Sequence, residues 1–209
     1  MARKLAPASL YSVHPSVAYG QAILRNLHER TGKSVKEWVA LAQKCGSTDK
    51  NEIIAWLKKE HGHGMNTAYW IAEQALGAED DTDPAVYLAN APKYVEAMYS
   101  GPKAALRPIH DALIELGRSI GSDVKVCPCQ TIVPLYRNHV FAQVKPATNK
   151  RIDFGYALGD TKATGRLIDT GGFKKKDRIT HRIPISSLDE IDAEVKKWLK
   201  IAYERDAEK

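Results

Sequence analysis

The spacing of apolar residues changes once along the chain, shortly before Val124. Ahead of that point they recur at intervals of three and four, which is the repeat of a helix with one buried face. From Val124 to Ile185 they alternate with polar residues, as in Val140, Ala142 and Val144, which is the repeat of a strand. The pattern therefore predicts a helical part followed by a sheet.

The helical repeat is divided by start signals into four predicted helices. The first covers about residues 15–30. Ser34 with Glu37 three residues later has the pattern of a capping box, which starts the second helix. Asp49 is the predicted N-cap of the third helix and Asn66 that of the fourth. These short helices predict a compact unit with one shared core.

The pattern divides the chain into three predicted segments. The first is a helical domain over residues 1–77, the second is an acidic linker with a connecting helix over residues 78–101, and the third is an α+β domain over residues 102–209. The connecting helix is predicted to start at Pro84 and to break or kink at Pro92, because proline lacks the backbone donor that a helix needs. The predicted fold class is α+β, with an N-terminal four-helix domain and a C-terminal, mostly antiparallel sheet flanked by helices.

The connections within the sheet region are too short for crossover helices, so we predict four or five mostly antiparallel strands. A helix over about residues 103–116 precedes them. After the strands, Ser187 and Glu190 repeat the capping-box pattern and predict the start of a final amphipathic helix.

Positive charge is concentrated in the sheet region. Between Lys145 and Arg182 there are ten Lys or Arg and four Asp, a net charge of +6, which equals that of the whole 209-residue chain. Three cysteines make no disulfide framework and fit a reducing compartment. No apolar run has the length of a signal peptide or a membrane span, so we expect a cytoplasmic protein without membrane association.

Strand alternation predicts a polar, basic face on the sheet, opposite the helices. Such a face could bind a phosphate backbone and stack a base, or it could be a solvated face with ion pairs to Asp153. The glycine-led loop of residues 171–178 could be a mobile arm for phosphates or a plain hairpin tip. The predicted face carries Phe141, Gln143, Lys145, Arg151, Asp153 and Arg182, and the loop carries Phe173, Lys174, Lys175, Lys176 and Arg178.

Other candidates have an ordinary structural interpretation beside a functional one. His181 has the parity of the apolar face, so it is either a core histidine or a general base near Tyr136, Tyr156 or Asp153. Cys127 and Cys129 are either structural thiols or half of a metal site. The segment His61-Gly-His-Gly64 is either an interhelical turn or a distant form of a helix-hairpin-helix. No catalytic motif, metal site or cofactor is predicted.

Two groups of motifs resemble known families. Thr31-Gly-Lys-Ser34, Glu37-Trp38 and residues 56–64 resemble domain of unknown function 4287, over roughly residues 8–77. The remainder resembles domain of unknown function 5655, a pairing that is similar to two-domain bacterial proteins. Cys127-Pro-Cys129 departs from that pattern. The resemblance brings no catalytic residues, but such domains also occur beside DNA-processing modules. The motifs of the second family are His110-Asp111, Tyr136-Arg137, Phe141-Ala142, Thr180-His-Arg182, Trp198-Leu199 and Ala202-Tyr203.

We therefore expect a non-enzymatic binding module for nucleic acid or another polyanion, without a protein partner that the sequence identifies. One alternative is an adaptor that binds a small ligand, a metal or a protein. The other is an enzyme around His181, which requires two or more titrating groups, for instance His110, His181 and Asp153, to converge in one cleft. The predicted binding residues are Phe141, Lys145, Arg151, Phe173, Lys174, Lys175, Lys176, Arg178, His181, Arg182, Tyr136 and Arg137.

Overall fold

The computed structural model describes residues 10–79 and 81–207. The chain divides into two compact units. The helical unit is Val13–Ala89, and the α+β unit contains the described residues up to Ser12 and those from Asn90 onward. The predicted α+β fold class is confirmed. Within the described residues, no helix is both long and apolar enough to cross a membrane.

The helical unit has one core, which is formed mainly by side chains such as Leu27, Trp38, Leu57 and Ile71. The helix predicted over residues 15–30 is interrupted at Asn26, so five helices replace the predicted four. They are α1 (Pro15–Arg25), α2 (Leu27–Thr31), α3 (Val35–Ala42), α4 (Lys50–His61) and α5 (Met65–Ala75).

Two of the predicted helix starts are confirmed and a third is wrong. Ser34 and Glu37 form the capping box, and the Asp49 carboxylate accepts hydrogen bonds from two amides of the first turn of α4. Asn66 does not cap α5. The helix starts two residues earlier, at Met65, and its N-cap Gly64 has an extended backbone and no side-chain cap.

Prolines lie at the starts of the next two α-helices and inside the first of them. Helix α6 (Pro84–Met98) starts at the predicted proline and continues through Pro92, so of the predicted break or kink the break does not occur. The helix predicted over residues 103–116 is a 3₁₀ helix (Gly101–Leu106) followed by α7 (Arg107–Ser119). Pro108 lies in the first turn of α7, where a missing backbone donor costs nothing.

The α+β unit is built on a six-stranded antiparallel sheet in the order β1-β2-β3-β4-β6-β5. Its core lies between one face of the sheet and the helices α7 and α8 (Ala193–Ala207). The sheet has one strand more than the largest number predicted, and β1 and β5, with two residues each, are too short to show an alternation. The strands are β1 (Lys125–Val126), β2 (Val133–Tyr136), β3 (Val140–Thr148), β4 (Arg151–Tyr156), β5 (Ile168–Asp169) and β6 (His181–Ile185).

The predicted capping box before the last helix is wrong. Ser187 makes no side-chain cap and precedes a short 3₁₀ helix (Leu188–Glu190). Helix α8 begins later, and the Asp192 carboxylate accepts hydrogen bonds from the amides of Glu194 and Val195. Glu190 instead accepts a hydrogen bond from the amide of Ser186.

A β-bulge reverses the predicted facing of Phe141. Leu135 pairs with Ala142 but Tyr136 pairs with Val140, so Phe141 is the extra residue in β3. The bulge shifts the alternation and moves Phe141 to the helix side, where it is fully buried. Its ring contacts that of Tyr203, with 5.5 Å between centroids. Phe141 is therefore a core residue and not the exposed aromatic that strict alternation predicts.

Candidate functional site

The basic loop of residues 171–178 is the tip of the hairpin that joins β5 to β6. Gly171 adopts a φ of 72°, and its amide donates to the Asp169 carboxylate at 2.7 Å. The carbonyl of Gly172 accepts hydrogen bonds from the amides of Lys175 and Asp177, at 3.0 and 2.9 Å. These bonds give the tip a defined turn, and they favour the hairpin interpretation over a mobile arm.

This hairpin tip and the end of α8 enclose a cavity of about 530 Å³, which we call the loop cavity. Four cationic side chains and two aspartates line it, so its walls carry a net positive charge. Phe173 adds an exposed aromatic ring. The lining residues are Ala157, Gly159, Phe173, Lys174, Lys176, Asp177, Arg178, Thr180, Arg205 and Asp206.

Asp206 is a buried carboxylate at the floor of the loop cavity, and only 1% of its surface is exposed. Its Oδ2 accepts hydrogen bonds from the backbone amides of Asn138 and His139, both at 2.8 Å. Its Oδ1 forms an ion pair with Arg178 and lies 3.2 Å from Nδ1 of His139. These donors compensate the burial of the charge, and they hold Arg178 at the cavity wall.

Arg205, on α8, also lines the loop cavity and is held in place. Its Nη1 donates to the carbonyl of Leu158 and to Oγ1 of Thr161, both at 2.6 Å. Asp160 lies 3.9 Å from Nη2 and is largely exposed. The guanidinium is therefore positioned by neutral oxygens, and little of its charge is cancelled nearby.

Two further cavities follow the loop cavity one after the other, the first over the open sheet face and the second beside the 3₁₀ helix (Gly101–Leu106) and the loop between β1 and β2. One of about 550 Å³ shares Asp177 and Arg178 with the loop cavity and is also lined by Lys145, Asp153 and Arg182. The other, of about 480 Å³, shares Lys145 and is lined by Lys103. We call the three together the basic track. Its lining includes three Asp (153, 177 and 206) and seven Lys or Arg (103, 145, 174, 176, 178, 182 and 205).

The aspartates of the basic track are mostly neutralised by arginines, whereas its lysines are not. Asp153 accepts from Arg151 at 2.9 Å and from Arg182 at 3.0 Å, so the cross-strand ion pairs weighed in the sequence are present. Lys145, Lys174 and Lys176 are exposed and form no ion pair with any described residue. Arg178 and Arg182 thus have a structural role, and the lysines together with Arg205 supply the available charge.

Several residues predicted for the site lie elsewhere. Arg137 pairs with Asp123 at 2.7 Å, and its guanidinium lies 4.2 Å from the centre of the Tyr203 ring. It therefore connects α8 to the turn between α7 and β1. Tyr136 lies near two cysteine thiols, and burial raises its pKa to about 12. Phe141 is in the core, as described above.

His181 is a hydrogen-bonded core histidine. It is 1% exposed, its Nε2 lies 2.8 Å from the carbonyl of Thr161, and its Nδ1 lies 2.8 Å from Oγ1 of Thr180. It has the parity of the buried residues of β6, whereas Asp153 lies on the open face with Arg182. His181 and Asp153 are therefore on opposite faces of the sheet and do not converge in one cleft.

The remaining candidates are structural. Burial raises the pKa of Cys127 to about 12 and that of Cys129 to about 11, so both thiols are protonated at neutral pH. His63 is buried, and its ring lies edge-on to Trp38 with 4.3 Å between centroids. Among residues 10–79 and 81–207, no group of three or more His, Cys, Asp or Glu could hold a metal ion.

Sequence reasoning missed Lys103, Asp177, Arg205 and Asp206 as lining residues. A signal for Asp206 is present, because it follows Ala202 by four residues and so continues the buried stripe of α8. An acidic residue at a buried position of an amphipathic helix points to a fixed set of donors. Arg205 and Lys103 carry no comparable signal, since both join the site through the fold.

Comparisons with known proteins identify families but no activity. The model of Domain of unknown function (DUF4287) matches residues 20–76, and that of Domain of unknown function (DUF5655) matches residues 95–206. No curated protein and no solved structure matches the chain significantly. Both predicted resemblances are confirmed. The second match covers more than half of the chain and contains the whole basic track, so the chain belongs to the DUF5655 family.

Proposed function

We propose that the α+β unit is a non-enzymatic binding module for a chain of phosphates, and that its ligand is a nucleic acid. The observation that supports this most directly is the continuity of the basic track. Of the three cavities, the first and second share Arg178, and the second and third share Lys145. Seven Lys or Arg line the three cavities, against three Asp. A series of adjoining cavities lined by cations fits a polymer with regularly spaced negative charges.

The distribution of charge within the track supports the same proposal. Arg178 and Arg182 are held by Asp206 and Asp153, so their positions are set before a ligand arrives. The exposed lysines have free ammonium groups, which can bind phosphates and release the counterions that surround a nucleic acid. A cytoplasmic location, which the sequence predicts, is consistent with such a ligand.

Binding of the full chain to a fluorescent single-stranded oligonucleotide, measured by anisotropy over a series of salt concentrations, tests the proposal. We expect the logarithm of the association constant to fall linearly with the logarithm of salt. Replacing Lys174, Lys175 and Lys176 with Glu should weaken binding about tenfold or more, and should reduce the salt slope by roughly one per lost phosphate contact.

A matched control variant distinguishes the effect of the basic track on binding from the effect of the chain's net charge. Lys36, Lys44 and Lys58 are exposed in the helical unit, and replacing all three with Glu changes the chain's charge by the same amount. This control should bind as the unaltered protein does. Equal weakening by both triple variants would contradict the proposal, as would the absence of binding to DNA and RNA at about 50 mM salt. Tighter binding of polyphosphate or heparin than of any nucleic acid would identify a different polyanion.

A further inference from the structure

Phe173 is an exposed aromatic side chain inside a basic cavity. Of the three phenylalanines in the chain, Phe141 and Phe154 are fully buried, whereas Phe173 is 56% exposed. Phenylalanine is among the residues that are most often buried in folded proteins, although single exposed apolar side chains, such as Met65 and Leu188 here, are common. The position of Phe173 on the wall of the loop cavity, and not on an isolated part of the surface, suggests a ligand that covers it.

The backbone of the hairpin tip fixes the base of the Phe173 side chain. The carbonyl of Phe173 accepts a hydrogen bond from the amide of Lys176 at 3.1 Å. Gly172, which precedes it, is packed so closely that a Cβ atom there would lie 2.8 Å from the carbonyl oxygen of Ile179. Because the turn is closed and tightly packed, the loop loses little conformational entropy when a ligand stacks on the ring.

Cationic groups line the same cavity as the Phe173 ring. Lys174 and Lys176 follow it in the loop, and Arg205 lines the cavity from α8. A cavity of about 530 Å³ is large enough for a small organic group. An aromatic surface beside positive charges suits a planar base that is joined to phosphates, since the ring offers stacking and the cations bind the backbone.

From this arrangement we infer that the ligand is single-stranded nucleic acid, with one unpaired base stacked on Phe173 and its backbone lying along the basic track. The inference rests on the proposed function and narrows the ligand class. In a duplex, neighbouring base pairs cover both faces of each base, so an internal base cannot reach Phe173 without leaving the stack.

Three labelled ligands of equal length, about 12 nucleotides each, test the inference with the full chain: a thymidine strand, a strand of abasic residues and a duplex. We expect the thymidine strand to bind about tenfold tighter than the abasic strand. Phe173→Ala should abolish that ratio and Phe173→Trp should keep it. Lys145→Ala should weaken both strands equally and leave the ratio unchanged, because it removes a phosphate contact and not a base contact.

The outcomes separate the inference from the proposed function. If the thymidine and abasic strands bind equally, if the duplex binds as tightly as the single strand, or if Phe173→Ala leaves the ratio unchanged, the single-strand inference is overturned and the proposed function stands. An equal loss of affinity for both strands in Phe173→Ala also overturns it, because Phe173 would then act only through the loop's shape. If none of the three ligands binds at about 50 mM salt, both proposals fail.

Discussion

His110 is a basic side chain buried in the core of the α+β unit. It is 1% exposed, and its ring lies 4.6 Å from that of Tyr99, centroid to centroid. Its Nδ1 has no hydrogen-bond partner among the described residues. Burial lowers the pKa of His110 to about 4, although nearby Asp111 partly opposes the shift. The histidine is therefore neutral in the folded protein at physiological pH.

This burial predicts a loss of stability at acid pH. The pKa of His110 is about 4 when folded and 6.5 when exposed, so the unfolded chain binds a proton first as the pH falls. The stabilisation is fully present above about pH 6.5 and decreases towards pH 4. Relative to His110→Phe, the unaltered protein should lose about 3 kcal/mol of unfolding free energy between pH 7 and pH 4. Urea unfolding of both proteins across this range measures the difference, and a difference that does not change with pH contradicts the prediction.

At the scale of single elements, the start of α8 shows how a cap is chosen. Ser187 and Asp192 both precede the helical stripe, and either could satisfy free amides of the first turn. Asp192 does so, with bonds of 3.0 and 3.1 Å to the amides of Glu194 and Val195, and these bonds lower the pKa of its carboxyl. Arg166 adds an ion pair to the same carboxylate at 2.7 Å.

The caps predict different costs of substitution. Asp192→Ala should lower the unfolding free energy by about 1 kcal/mol, because two amides lose their acceptor. Asp192→Asn should cost much less, since the amide oxygen still caps the helix. Ser187→Ala is the matched control and should have little effect. Urea unfolding midpoints rank the three variants, and a larger loss for Ser187→Ala than for Asp192→Ala would mean that Ser187 is the cap.

At the scale of the whole molecule, Asp206 links three distant parts of the α+β unit. It lies near the end of α8 and accepts hydrogen bonds from two backbone amides of the turn between β2 and β3. It also forms an ion pair with Arg178 at the hairpin tip. Asp123 offers a comparison, because it is also bonded to an arginine and to α8 but is half exposed. The two carboxylates differ mainly in burial.

The burial of each carboxylate should determine how much it contributes to the unfolding free energy. Asp206→Asn should lower the unfolding free energy by about 3–5 kcal/mol, because Arg178 loses its charged partner and an amide donor faces backbone donors. Asp123→Asn, the control, should cost about 1 kcal/mol or less. Urea unfolding of both variants tests this, and similar losses in the two would show that Asp206 is not a critical buried link.

Much of the architecture was predictable because local signals report it. Apolar spacing predicted the change from helices to an antiparallel sheet, and the capping box at Ser34 was found from two residues. The predictions failed where a competing local signal won or a long-range contact intervened. Asn66 was displaced as a cap by Gly64, and Pro92 was tolerated within α6. Strands β1 and β5 were too short to carry a pattern.

The candidate site was predictable in composition and not in geometry. The basic segment, Phe173 and the hairpin lysines were evident in the sequence, because charge and turn residues are local properties. The bulge that buries Phe141 depends on the pairing of β2 with β3, and strict alternation cannot reveal an extra residue. His181 had the parity of a core residue, but its partners Thr161 and Thr180 are known only from the folded sheet.

Sequence alone determined that this chain has a helical part and an α+β part, and that the excess of positive charge lies in the second. These properties follow from side-chain spacing and residue type, which folding does not change. Tertiary structure decided which charges are free. Packing α8 against the sheet brings Arg205 and Asp206 to the hairpin and pairs Arg178 with Asp206. Strand pairing places Arg182 beside Asp153, and the lysines beside Phe173 remain in solvent. Those contacts join residues far apart in the chain, and no local pattern encodes them.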